Sequence, residues 1–264
     1  MIEIVFSDVD GTLLNSEHKI TPLTRHAIQK LDSNGIPFVI ISARSPSGIY
    51  PILEEYCIQC AIICYSGALI LDKQKNVLFH KGMKKADVRE ILSLIERRGF
   101  DLSWCIYSMD EWVVKEKKDP RIIREETIVK ASAMQGSVDT VTGQEINKVL
   151  CICNPETIVE TEAALKEAFP GFSIVRSSDI LLEIMEKGVT KASAVQKFCS
   201  YFDVPLAAAV AFGDNFNDAE MLEAVGHGIL MGNAPAVLKE RFQTHTKDND
   251  HDGIYYGLLD LELI

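Results

Sequence analysis

Short apolar runs recur along the chain, and each gives way to polar residues within a position or two. Residues 2–7 (IEIVFS), 36–42 (IPFVIIS), 61–65 (AIICY) and 208–212 (AAVAF) are continuous rather than alternating. Runs of this length predict strands covered on both faces. Between them the apolar spacing shifts to three and four. Thr21 is a good N-cap and Pro22 suits the first helical position. Leu23, Ala27, Ile28 and Leu31 fall on one face of that helix, and Gly35 suits the left-handed residue that closes it. A second helix is expected around 47–56. Strands alternating with helices predict an α/β fold: a Rossmann-like, doubly wound parallel sheet with helices on both faces. Ligands of such sheets bind at the carboxyl ends of the strands.

The rhythm changes over residues 82–186. Val88, Ile91, Leu92 and Ile95 mark a helix over 84–98, closed by Gly99. Strands are expected near 101–107 and 111–115, a charged helix over about 119–130, and a strand over 148–154. A further helix has Asn154 as cap, Pro155 at its first position and Pro170-Gly171 as its stop. FSIVRS and LLEIME then form a hairpin around Ser178-Asp179. Hairpins with helices on one face predict an α+β cap domain, inserted between the two parts of the core, 1–81 and 187–264. From Gly188 the first rhythm returns, with helices from Thr190, over 215–225 and near 235–242.

Polar residues collect where strands end or helices open: Asp8, Asp10 and Thr12, then Ser42, Lys191, and FGDNFND at 212–218. Brought to one sheet edge, Asp8, Asp10, Asp214 and Asp218 would form a negative cluster that requires a cation. Oxygen ligands with room for water suit Mg²⁺. Lys191, the hydroxyls of Thr12 and Ser42, and loop amides freed by Gly11 would complete a phosphate site. A carboxylate set against phosphate can act as a nucleophile.

Composition narrows the partners. The net charge of −11 disfavours nucleic acid and anionic membranes, but not a small phosphorylated metabolite held in a locally positive site. No apolar run is long enough to span a membrane, and the N-terminus lacks the features of a signal peptide. A cytoplasmic location with reduced thiols is the expectation for the seven cysteines. The oligomeric state is left open.

DVDGT, Ser42, Lys191 and GDNFND are similar in order and spacing to the four motifs of the haloacid dehalogenase-like hydrolases, and resemble most closely the Cof-type sugar-phosphatase branch with its large inserted cap. The resemblance implies a Mg²⁺-dependent phosphatase acting on small phosphomonoesters, sugar phosphates first. It implies Asp8 as the nucleophile and Asp10 as general acid and then base. Thr12, Ser42, Lys191 and Asn217 would bind phosphate. Asp8, the main-chain carbonyl of Asp10 and Asp214 would hold Mg²⁺, with Asp218 in support. Arg44 and Glu183 are candidates for substrate contact. A phosphosugar mutase and a non-enzymatic phosphoacceptor are the alternatives. Two positions depart from the family pattern: Ser42-Ala43-Arg44 stands where Thr-Gly-Arg is usual, and Ser66-Gly67-Ala68 where Asn-Gly-Ala is common.

Two further motifs are expected to be structural. DNDHDG at 248–253 imitates the start of an EF-hand loop, but Leu259 stands at the twelfth position, where a glutamate is required, and no helical flank is evident. Cys57 and Cys60 form a C-x-x-C without a further zinc ligand set, which favours inert thiols.

Overall fold

The computed structural model describes residues 1–129 and 131–264. The chain forms two compact units. The first comprises Met1–Ala43, Tyr50–Leu78 and Thr190–Ile264, and the second Arg44–Ile49 and Phe79–Val189.

The first unit is built on a seven-stranded sheet. Its order is His227–Leu230, Ala209–Gly213, Ile4–Ser7, Phe38–Ile41, Ala61–Cys64, Leu69–Leu71 and Val77–His80. The first five run parallel, as expected of an α/β core, whereas Leu69–Leu71 turns back antiparallel on Ala61–Cys64. The apolar runs explain the layout. Val5, Phe6, Ile40, Ile41, Ile62, Ile63, Val210 and Phe212 are fully or almost fully buried, so these strands present no polar face to water. Parallel pairing then brings the residues after each strand, Asp8, Ser42 and Asp214 among them, to one edge.

The helix Pro22–Ser33 forms as its caps predict. The Thr21 hydroxyl accepts from the Thr24 amide, Pro22 opens the helix, and Gly35 follows with φ +72°. Its buried face differs by one position from the expected one. Thr24, Ala27, Ile28 and Leu31 are buried, and Leu23 is 40% exposed. Leu23 lies at the margin of the stripe, and Thr24, the next residue, takes the buried place.

The second unit carries a six-stranded, mainly antiparallel sheet ordered Phe172–Arg176, Leu181–Glu186, Lys148–Cys153, Leu102–Ser108, Glu111–Val114 and Met134–Gln135. Helices Lys85–Arg98 and Ile158–Ala168 contribute to its apolar core, with Ile91, Ile95 and Leu165 packed among Trp104, Ile106, Val149 and Ile184. Trp104 and Trp112 are both buried. The charged helix is Pro120–Val129; the last residue of the expected stretch, Lys130, lies outside the described residues. Asn154 opens a turn rather than capping the helix directly. Its carboxamide oxygen accepts from the Glu156 amide, and the regular helix starts at Ile158. The helix expected over 215–225 is divided into a 3-10 turn, Phe216–Asp218, and a short helix, Ala219–Ala224. A helix, Gly253–Asp260, does follow the 248–253 segment, contrary to expectation.

The exposure difference gives a direct test. Leu31→Ala should cost about 2–5 kcal/mol, as a large-to-small change in a packed core, and Leu23→Ala about 0.5 kcal/mol or less. Urea denaturation of the two variants checks the ranking; equal losses would contradict this packing.

Candidate functional site

Ile4–Ser7 lies between Ala209–Gly213 and Phe38–Ile41, so the ends of both neighbours flank its own. The Asp8 amide continues the pairing by donating to Phe212 O at 3.0 Å. The chain then doubles back. Ser7 Oγ and the Leu13 amide both donate to the Asp8 carbonyl, at 2.7 and 3.2 Å, and the Leu14 amide donates to Val9 O at 2.9 Å. Gly11 makes the reversal at φ +81°, and a Cβ there would strike the Asp214 carboxylate. Glycine is therefore required twice at this position, for the left-handed backbone and for the close approach. Asp8 is buried beside this turn, and Asp10 is exposed on it.

Opposite the loop stands Lys191, the first residue of helix Lys191–Tyr201. A capping box fixes the helix start: Thr190 Oγ1 accepts from the Ser193 amide, and Ser193 Oγ accepts from the Thr190 amide, each at 3.1 Å. Lys191 is 1% exposed. Its Nζ donates to Asp8 Oδ1 at 2.7 Å and to Asp218 Oδ1 at 2.6 Å. The other oxygen of Asp218 accepts from the amides of Asp214 and Asn215, both at 3.0 Å. A Cβ on Gly213 would collide with the Asp218 side chain, so that glycine is what admits Asp218 to the strand end.

Asp214 completes the group. Thr12 Oγ1 donates to its Oδ1 at 2.7 Å. The one hydroxyl proton of Thr12 is thus directed at Asp214. Burial pushes the Asp8 carboxyl up to about 8, against the pull of the Lys191 ammonium, and the Asp218 and Asp214 charges add to the rise. Burial likewise raises Asp214 to about 6, opposed by the Thr12 hydrogen bond. For Lys191, burial favours the neutral amine, but Asp218 and Asp8 outweigh it and hold the ammonium above its ordinary range.

Ser42 is buried at the end of Phe38–Ile41. Its amide donates to Ile63 O at 2.9 Å and its carbonyl accepts from the Ser66 amide at 2.8 Å. Tyr65, Ser66 and Gly67 have φ of 52°, 53° and 119°, a run that L-residues rarely adopt. A Cβ on Gly67 would lie 2.8 Å from Thr190 O and from Ala194 Cβ. This turn therefore ties the Ser42 strand end to the helix that carries Lys191. Asn217 is exposed on the 3-10 turn Phe216–Asp218. Arg44 and Glu183 belong to the second unit. Arg44 Nη1 donates to Gly48 O at 3.1 Å, and Glu183 is buried with Lys148 Nζ 3.7 Å from its Oε1.

Among the described residues, one group of three acidic or thiol or imidazole side chains can bring its ligand atoms within 4.8 Å of one another: Asp8, Asp214 and Asp218. Both oxygens of Asp218 are already engaged, which leaves Asp8 and Asp214 as the better donors. Three carboxylates against one ammonium, with oxygen as the only donor atom, fit a hard divalent cation such as Mg²⁺. The thiols fit no such role. None of the seven cysteines forms a disulfide, and burial pushes Cys60 up to about 12 while Cys57 is exposed. Two residues with a bearing on the site were missed from the sequence: Asn233 and Asn249, whose carboxamides donate to Gly11 O at 2.8 Å and Leu14 O at 2.9 Å. The available signal was Gly232-Asn233 just beyond the strand His227–Leu230, at the edge where the other site residues gather.

A family model for haloacid dehalogenase-like hydrolases matches residues 5–258. A Haemophilus influenzae protein named "Putative phosphatase" is 39% identical over 254 residues, covering 96% of each chain. The HMP-PP phosphatase of Yersinia pseudotuberculosis is 27% identical over 243 residues, 91% of this chain and 87% of its own. A solved haloacid dehalogenase-like hydrolase from Bacteroides thetaiotaomicron shares the fold, with a TM-score of 0.90 over 99% of this chain and 100% of its own, at 24% identity. No described helix is long and apolar enough to cross a membrane. With residues 5–258 matched by the family model and a relative 39% identical over 96% of each chain, the chain belongs to the haloacid dehalogenase-like hydrolase family.

Proposed function

We propose that the protein is a Mg²⁺-dependent phosphatase that hydrolyses small phosphomonoesters, sugar phosphates first among them, through an aspartyl-phosphate on Asp8. The observation that carries this reading is the buried row Asp8–Lys191–Asp218 with Asp214 beside it. A buried lysine held between two carboxylates is costly as a structural device and apt as an anion site. Family membership and the phosphatase names of the relatives support the reaction class.

In this mechanism Lys191 fixes one oxygen of Asp8, which directs the other toward the phosphorus. Attack by that oxygen forms the acyl-phosphate bond as the ester oxygen leaves with a proton from Asp10. Water, giving its proton back to Asp10, then attacks phosphorus, and inorganic phosphate departs with Asp8 regenerated. Ser42, Lys191 and Asn217 hold the phosphoryl oxygens. Asp218 orients Lys191, and Thr12 orients Asp214. Asp8, Asp214 and the main-chain carbonyl of Asp10 would hold Mg²⁺, which when bound offsets the negative charge of the phosphoryl oxygens. Most of the rate enhancement then comes from positioning and charge.

Turnover of a panel of phosphate esters, with Mg²⁺ and with EDTA, tests the proposal. Wild type should require the metal, and Asp8→Asn should lose at least about 10³-fold in kcat. Full activity in Asp8→Asn would exclude the covalent route.

The raised carboxyls give a second expectation. Between the ordinary value of 3.8 and the raised values of about 6 and 8, the folded state holds protons that the unfolded chain has released. Stability of the metal-free protein therefore falls as pH rises through that window. Mg²⁺, which competes with those protons, should raise Tm more at about pH 8 than at about pH 5. Thermal melts with Mg²⁺ and with EDTA at the two values measure this; an equal shift at both would contradict metal binding at these carboxylates.

A further inference from the structure

We propose that Asn233 and the acidic segment 248–253 form a latch that holds the nucleophile loop in its working shape. The segment resembles a calcium loop, but its side chains are turned to another use. Asn249 Nδ2 donates to Leu14 O at 2.9 Å. Asp250 Oδ1 accepts from the Ser16 amide at 2.8 Å. Asp252 accepts from the Thr21 hydroxyl, at the residue that caps the following helix. Asn233 Nδ2 donates to Gly11 O at 2.8 Å, and its own carboxamide oxygen accepts from the Asn249 amide at 3.3 Å. Residues more than 200 positions apart in sequence thus meet at four successive points between Gly11 and Thr21.

The latch is itself pre-formed. Asp248 caps its 3-10 turn by accepting from the Asp250 amide at 3.0 Å, and it contacts His251 Nδ1 at 2.6 Å. Gly232 packs so closely on this segment that a Cβ would lie 2.6 Å from the Asp248 nitrogen, and the Gly232 amide donates to Lys247 O at 3.0 Å. The Thr246 amide donates to Leu230 O at 3.0 Å, which anchors the segment to the strand His227–Leu230. The latch therefore stands on the sheet, and the loop is tied to the latch.

The consequence lies in which groups are fixed. Asn233 pins the carbonyl of Gly11, the residue between Asp10 and Thr12. Asp10 is the proposed proton donor and Thr12 holds Asp214. A peptide free to turn at Gly11 would move both. The bonds of the latch are exposed or only partly buried and each is worth little to global stability, so the effect is one of placement. Misplacement of reacting groups by about 1 Å can cost about 10²-fold in rate. Asn233 and Asn249 are accordingly positioning residues. Their catalytic consequence rests on the phosphatase reading, but their hold on the loop does not.

The test uses Asn233→Asp and Asn249→Asp in the full chain. Each keeps the side-chain shape but replaces an N–H donor with an oxygen facing a carbonyl. Amide hydrogen exchange over residues 11–16 should accelerate in both, with exchange in Phe38–Ile41 unchanged and Tm moved by only a few degrees. On an ester that wild type turns over with Mg²⁺, kcat should fall about tenfold or more while KM stays within about threefold. Unchanged exchange at 11–16 overturns the latch, and so does faster exchange with kcat intact. A wild type inactive on the whole panel would instead overturn the phosphatase reading, while the exchange rates still decide the latch.

Discussion

The first unit is organised around one ammonium group placed where water is excluded. Lys191 is nearly inaccessible, and an unpaired charge there would be untenable. Asp8 and Asp218 both approach it within 2.7 Å, and each must be delivered by a different strand end. Much of the local sequence follows from that need. Gly213 lets Asp218 come close, the amides of Asp214 and Asn215 fix its far oxygen, and the Thr190–Ser193 capping box sets where the lysine leaves its helix. Adding Asp214 then leaves more negative than positive charge, which is the physical basis for a divalent cation at this edge.

The second unit separates its roles across one sheet. Trp104, Ile106, Val149, Cys151, Leu182 and Ile184 face its apolar core. Alternation along the same strands sends Tyr107, Lys148 and Glu183 to the other face. There Tyr107 stacks on Trp112 with ring centroids 5.6 Å apart, and Lys148 lies over the Tyr107 ring. Burial raises the Glu125 carboxyl against the pull of Lys148 and the two nearby arginines, Arg124 and Arg44, with Glu183 adding to the rise. Arg44 and Glu183, singled out from the sequence on separate grounds, thus share one electrostatic neighbourhood within this unit.

What could be read from the sequence was what has a period or a fixed offset. Buried strands announce themselves as unbroken apolar runs, and Thr21-Pro22 with Gly35 marked a helix by its ends. Asp8, Lys191, Asp214 and Asp218 were legible because each follows a strand or opens a helix in a recognisable order. The margins were less legible. Leu23 and Thr24 follow one another in sequence but lie about 100° apart around the helix, and which is buried depends on how the helix is turned toward its sheet. Asn154 could cap a helix or open a turn with the same side chain. The 248–253 segment reads from the sequence as an acidic turn with Leu259 where a calcium loop has glutamate, and the bonds that explain its acids run to residues 16 and 21. Side-chain to main-chain bonds across such distances have no period, so Asn249 left no pattern to find and Asn233 only its place after a strand end.

The position of Ile4–Ser7 has a consequence for the order of events during synthesis. This strand is made before the other six of its sheet and sits inside it, yet its neighbour Ala209–Gly213 comes late, and Thr12 waits 202 positions for Asp214. At about 5–20 residues per second, that delay on the ribosome is roughly 10–40 s. Residues 79–189 emerge within that interval, and their sheet needs nothing from the strands still to come. The inserted unit can therefore be finished while the surrounding one is still an open, apolar half-sheet, and the half-made core is the stage at which a nascent chain of this architecture is most exposed to aggregation.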